Sequence, residues 1–158
     1  MSYLTRHSDK LVSIKMQLTL TGEYAIRAMI HLAGSADGSS FKISDVSSAN
    51  EIPEKFLRKI ISQLSSTGLI ISQRGIGGGI KLGRPAESIT PLEIIEAVEG
   101  DMALNKCLID KDFCSNQRWC TVHTLWCEAQ AKLKEILASK SIALLAKESE
   151  ERKKKVLR

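Results

Sequence analysis

From Met16 the chain settles into a helical rhythm, with Tyr24, Ala25, Ala28, Met29, Leu32 and Ala33 recurring three and four residues apart. Thr21 is a candidate N-cap for this helix and Gly34 a stop. The stretch ADGSS (36–40) reads as a loop, and residues 44–50 suit a short helix capped by Ser44. Pro53 fits the first turn of the next helix, where its missing N–H leaves no bond unmade. The apolar face there is Phe56, Leu57, Ile60, Ile61 and Leu64, and Gly68 ends it. Two β-prone runs follow, 69–72 and 80–82. Between them the segment 73–79 holds four glycines in five positions beside Arg74. That combination predicts a β-hairpin with a long, permissive tip.

Beyond the hairpin, Thr90-Pro91-Leu92-Glu93 is a capping box with proline at the first helical position, so a helix runs to about Val98 and stops at Gly100. Some twenty loop-like residues come next and carry three of the four cysteines. Val122, Leu125, Trp126, Ala129, Leu133, Ile136 and Leu137 then mark a long amphipathic helix, interrupted at Ser139-Lys140-Ser141 before a further turn at 142–145. No internal repeat is present. The expected organisation is a flexible N-terminal extension (1–15), a winged helix-turn-helix (16–100), a cysteine-bearing loop (101–120), a dimerisation-helix region (121–147) and a charged, disordered tail (148–158). The fold class is therefore mainly α with one small β-hairpin.

Three helices followed by a hairpin describe a winged helix-turn-helix, whose third helix enters the major groove with its N-terminal residues nearest the bases. The exposed positions at that end are Glu54, Lys55, Arg58 and Lys59. The three bases can donate to phosphate or guanine, and Glu54 can accept from cytosine. Arg74 at the wing is long enough to enter a groove, and Gly75 and Gly77 let the backbone approach phosphate. A solvated helix face and an ordinary turn would give the same residues. Charge tempers the picture. The 158 residues carry 23 Lys+Arg against 18 Asp+Glu, a net +5. Residues 1–100 hold 11 basic and 10 acidic side chains, and residues 101–158 hold 12 and 8, with most of the excess in 151–158. Binding by the winged half must rest on placed side chains and not on a broad basic footprint.

With 43% hydrophobic and 26% charged residues, the chain has the composition of a globular protein. No apolar run approaches the roughly 20 residues a membrane-spanning helix requires, and the first 15 residues lack the apolar core of a secretory signal. A cytoplasmic protein without membrane association is expected, where cysteines serve as metal ligands or redox thiols more often than in disulfides. An enzyme is not expected: His7, His31 and His123 form no nucleophile–base pattern, and RGIGGGIKLG lacks the spacing and the Lys-Ser/Thr of a phosphate-binding loop. Cys107, Cys114, Cys120 and His123 follow the spacing C-x6-C-x5-C-x2-H, with Cys127 four residues further on. Zinc modules usually pair close cysteines, which this spacing does not supply. Thiolates six or seven residues apart on a loop can gather round a larger iron–sulfur cluster. Redox thiols and incidental buried cysteines are the other readings.

The chain resembles the IscR/NsrR-type winged-helix transcription regulators over about Met16 to Leu145. The matching stretches are LTLTGEYAIRAMIHLA, IPEKFLRKIISQLSSTGLI, the wing RGIGGGIKLGRP, ITPLEIIEAVEG and CTVHTLW (120–126). The resemblance implies a homodimer packed through its long C-terminal helices and bound to a palindromic operator on double-stranded DNA. It further implies an iron–sulfur cluster, 2Fe–2S favoured over 4Fe–4S, held by Cys107, Cys114 and Cys120. The fourth ligand in one branch of the family is a histidine corresponding to His123, and in another a carboxylate corresponding to Glu23. CTVHTLW favours His123. The first gap of six residues departs from the five common in that branch, and Cys127 lies outside the family's ligand set. A thiol- or zinc-based regulator without a cluster, or a small cluster-carrying redox protein, are the alternatives.

Overall fold

Thr19, two residues ahead of the expected cap, opens the first helix: its hydroxyl accepts from the amides of Thr21 and Gly22 at 3.2 and 3.4 Å. This and the following elements come from a computed structural model, which describes residues 19–35, 39–73, 75, 78–110 and 112–157. The expected extension at 1–15 lies outside the described residues, as do Arg74 and Gly77. Helix α1 spans Leu20–Ala33, α2 Ile43–Asn50 and α3 Glu54–Ser66. Strands β1 (Ile70–Gln73) and β2 (Gly79–Leu82) form the hairpin, and α4 is Pro91–Glu99. The long helix α5 is Thr121–Ala138, and α6 is Ile142–Val156. Short 3-10 turns at Ala86–Ser88, Lys106–Leu108 and Gln117–Trp119 punctuate the connections.

Two boundaries moved for physical reasons. Helix α2 begins at Ile43 after Lys42, so Ser44 lies inside it and bonds to Asp45 instead of capping. Pro53 is the residue before α3, still extended at ψ 125°, and its carbonyl accepts from Phe56 and Leu57. The α2–α3 turn is tight because Glu51 adopts the left-handed conformation (φ 55°, ψ 40°). Its amide and that of Ile52 close back on the α2 carbonyls of Ser48 and Ser47.

Strands β1 and β2 pair antiparallel, Ile70 opposite Leu82 and Gln73 opposite Gly79. Phe41 adds a further bridge, exchanging backbone hydrogen bonds with Ile80 at 2.9 and 2.8 Å. Gly79 is required at that crossing, since a Cβ there would press on the Phe41 carbonyl. The wing is thereby tied to the segment before α2. The capping box of α4 forms as the sequence predicts: Thr90 Oγ1 accepts from Glu93 N, and Glu93 Oε2 accepts from Thr90 N.

One hydrophobic core joins these parts. Met29 of α1, Leu57, Ile60 and Leu64 of α3, Ile80 of β2, Ile89, Ile94 of α4 and Ile142 of α6 are all fully buried. Each such side chain contributes about 1.5–3 kcal/mol by leaving water. Helix α6 belongs to this core, resting on α1 and on the turn before α4, where the Ile142 amide donates to the Ile89 carbonyl at 2.9 Å.

The tail expected to be disordered is instead the continuation of α6 as far as Val156. Ser141 caps the helix by accepting from Leu144 N, and buried Ile142 and Ala146 anchor its first turns. Charged pairs three and four residues apart, Glu148–Arg152 and Glu150–Lys153, line its second half. The lysines at its end also complement the helix dipole. Composition suggested disorder because it does not register this spacing.

Candidate nucleic-acid interface and cysteine site

The inner face of α3 is fixed by Leu57, Ile60, Ile61 and Leu64, which turns Lys55, Arg58 and Lys59 to solvent. Glu54 is half-buried beside them. Arg58, 61% exposed at its side chain, donates to Glu54 Oε1 through Nε at 3.0 Å and through Nη2. Among the described residues Lys55 and Lys59 join no ion pair. The end of α3 nearest the turn therefore presents two uncommitted ammonium groups and a guanidinium held by its own helix. Phe56, grouped with the apolar face from sequence, sits at its margin against Tyr24, edge to face at 5.8 Å.

At the wing tip Gly75 has φ 103°, a conformation that side-chain-bearing residues rarely adopt, and its carbonyl accepts from Gly78 N at 2.9 Å. Just past the wing, Arg84 donates to Glu93 Oε1 at 2.7 Å and clamps the hairpin exit to the start of α4. Burial alone pushes the Glu93 carboxyl up; the Arg84 guanidinium and the Thr90 amide outweigh it and hold its pKa below the usual value.

The cysteine loop converges on His123. Its Nδ1 lies 3.4 Å from Cys107 Sγ, across 16 residues of chain, and its amide donates to Cys120 Sγ at 3.4 Å. Cys120 thus caps α5 with sulfur, where an oxygen would ordinarily stand. Cys127, one turn along, places Sγ 3.6 Å from His123 Nε2. Gln117 had no motif to mark it, yet its amide donates to the Cys107 carbonyl at 3.0 Å and meets His123 Nε2 at 3.3 Å. Further along, Gln130 of α5 accepts from Leu104 N at 3.1 Å, and Lys134 pairs with Glu96 of α4 at 2.8 Å. These bonds tie α5 to the loop and to the winged half.

Three thiols and an imidazole are a donor set suited to an iron–sulfur cluster. Cys107, Cys120 and His123 are brought together, with Cys127 on the far side of the ring. Cys114 is half-buried between the two 3-10 turns, and no hydrogen bond joins its sulfur to the others among the described residues. There, too, no three His, Cys, Asp or Glu side chains close round one point. Glu23, the alternative fourth ligand, is exposed on α1 and pairs with Arg27 at 3.7 Å; no described side-chain contact links it to the loop.

A three-helix unit with a paired wing, joined by a cysteine loop to a long helix, defines a winged-helix regulator. Residues 18–148 match the Rrf2 family of iron-dependent transcriptional regulators. The chain belongs to that family. Its relatives include the HTH-type transcriptional regulator IscR of Vibrio campbellii, 33% identical over 135 residues that span 85% of this chain and 80% of that one. The IscR of Xenorhabdus nematophila is likewise 33% identical over 135 residues, covering 85% and 82% of the two chains. Among solved structures, CymR, the global cysteine regulator of B. subtilis, is 27% identical with a TM-score of 0.69, covering 84% of this chain and 98% of its own. T. potens IscR shares the fold with a TM-score of 0.71 at 23% identity, over 88% and 92% of the chains. The family and these relatives are transcription regulators, not enzymes. Among the described residues no helix is long and apolar enough to cross a membrane.

Proposed function

We propose that this chain is a dimeric, cytoplasmic, operator-binding regulator whose affinity for DNA is switched by an iron–sulfur cluster held at Cys107, Cys114, Cys120 and His123. The observation that carries the reading is the convergence at His123, whose imidazole meets Cys107 Sγ and whose backbone amide donates to Cys120 Sγ. When bound, the cluster supplies a redox-sensitive link among the loop's thiolates. The chain's own part is positional. Cys107 belongs to the segment leaving α4, and Cys120 caps α5, so any change in the distance between them moves α5 relative to the winged half. Val122, Leu125 and Ile136 on α5 are 53%, 58% and 64% exposed, and no residue of that helix is buried within one chain. That apolar stripe supports packing of α5 against a second copy. A dimer reads two half-sites at a fixed separation, so a small reorientation of α5 changes operator affinity without altering any base contact. His123 is the proposed fourth ligand because its imidazole lies 3.4 Å from Cys107 Sγ and its backbone amide is held by Cys120, whereas no described side-chain contact links Glu23 to the loop. The 2Fe–2S form is the proposed nuclearity.

A second reading is favoured by Cys127: it lies against the same imidazole as Cys107, which suits a thiol-based regulator without a cluster. Iron and acid-labile sulfide measured on protein purified without oxygen separate the two. The proposal expects both, with a visible absorption band that Cys114→Ala removes while the melting temperature of the iron-free protein stays unchanged. Wild-type protein that remains colourless after anaerobic reconstitution overturns it in favour of the thiol reading.

A further inference from the structure

The winged half is close to electrically neutral, whereas phosphate contacts normally dominate the affinity of a DNA-binding protein. The missing charge is on α6. Because that helix folds back on α1, its basic end is held at a defined place. Lys153 shares a cleft of ≈ 470 Å³ with Arg27 and His31 of α1 and with Ala49 and Asn50 at the end of α2. Asn50 is four residues before Glu54, the first residue of α3, and Arg27 fixes that corner by donating to the Asn50 carbonyl at 2.6 Å. The last turn of α6 thus stands beside the helix-turn-helix. Arg152 and Lys153 are 81% and 65% exposed, and their acidic partners Glu148 and Glu150 lie one turn back on α6. Lys154 and Lys155 are exposed and join no ion pair among the described residues.

We propose that the basic last turn of α6, Arg152–Lys155, is a second DNA contact that grips backbone phosphates flanking the α3 site. The inference rests on operator binding by α3 and is independent of the cluster. Phosphates are the fitting partner because clustered ammonium groups are sequence-blind point donors, unlike the forked Arg58 on α3. A plain alternative is that these lysines only complement the dipole at the end of α6.

The test measures full-length protein on operator and on non-operator duplex across a salt series, for wild type, Lys154→Gln/Lys155→Gln and Lys154→Arg/Lys155→Arg. Each lost phosphate contact lowers the slope of log affinity against log salt by about 0.9. In the dimer the glutamine pair removes four lysines and should flatten the slope by about 3.6, so the affinity lost between roughly 50 and 200 mM salt shrinks roughly 150-fold. The loss should be equal on both duplexes, and the arginine pair should behave as wild type. An unchanged slope with a lower melting temperature assigns the lysines to helix stability and overturns the proposal. Weakening confined to the operator overturns the backbone assignment. If the glutamine pair fails to fold, the single variants Lys154→Gln and Lys155→Gln should each flatten the slope by about half as much, and an unaltered slope in both also overturns it. Wild type that binds neither duplex is the separate result that defeats the α3 reading itself.

Discussion

Arg58→Ala is the perturbation whose size follows most directly from the geometry. In the free protein the guanidinium is held by two hydrogen bonds to Glu54 across one helical turn, with both side chains substantially exposed. A pair of this kind on a helix surface stabilises by only about 0.3–0.5 kcal/mol. Opening it is thus a small cost against a bidentate guanine contact, which discriminates by about 1–3 kcal/mol. The net loss expected for Arg58→Ala is about 0.5–2.5 kcal/mol per half-site, roughly 2- to 70-fold in affinity for each half of the operator. Fluorescence anisotropy with operator and scrambled duplexes at one salt concentration reads it. The operator should weaken more than the scrambled duplex, and the melting temperature should stay within about 2 °C because Arg58 buries nothing in the core. An operator affinity unaffected by Arg58→Ala, or a loss shared equally by both duplexes, would refute the placement of Arg58 at a base edge.

Other consequences can be measured separately. Glu51 holds a left-handed conformation at φ 55°, which costs a residue with a Cβ roughly 1–2 kcal/mol, and glycine's greater freedom when unfolded returns roughly 0.5–1 of that. Glu51→Gly should therefore raise stability by about 0.5–1 kcal/mol, a few degrees in thermal melting; a lower melting temperature would mean the side chain makes a contact that matters. His31 has its pKa held below 6.5 by burial and by the neighbouring Lys153, so the unfolded chain binds the proton more readily. Stability should consequently fall as pH drops through 6.5 and below, and Lys153→Gln should reduce that fall in melts between about pH 5 and 8. A pH dependence identical in the variant would remove Lys153 as a cause.

The helices of the winged unit were legible because each carries its own signal: a three–four apolar rhythm, a capping box at Thr90, glycine or proline at the boundaries. The wing was legible from its glycines, although the Phe41 rung that anchors it was not, since pairing between positions 39 residues apart leaves no local trace. The candidate ligands stood out by residue type, yet spacing gave no hint that Gln117 would bridge Cys107 and His123. Spacing likewise gave no place for Cys114. The end of α6 was misread for a related reason. Eleven residues dominated by charge resemble a disordered tail in composition, but Ser141, Ile142 and Ala146 supply a cap and an anchor from just outside them. Tertiary contact decided the outcome there. It also moves much of the chain's positive charge from a loose end to the side of the helix-turn-helix.

The central claim is that the cysteine site and the operator surface are coupled. It is tested most directly by titrating one operator duplex with a single anaerobic preparation, before and after its iron is removed by chelation, at fixed salt and pH. The account predicts two separated isotherms for wild type, and for Cys114→Ala a curve that follows the iron-free one whether or not iron and sulfide are offered. Superimposable wild-type isotherms from iron-loaded and iron-free protein would contradict it and leave a DNA-binding protein with no switch at these cysteines.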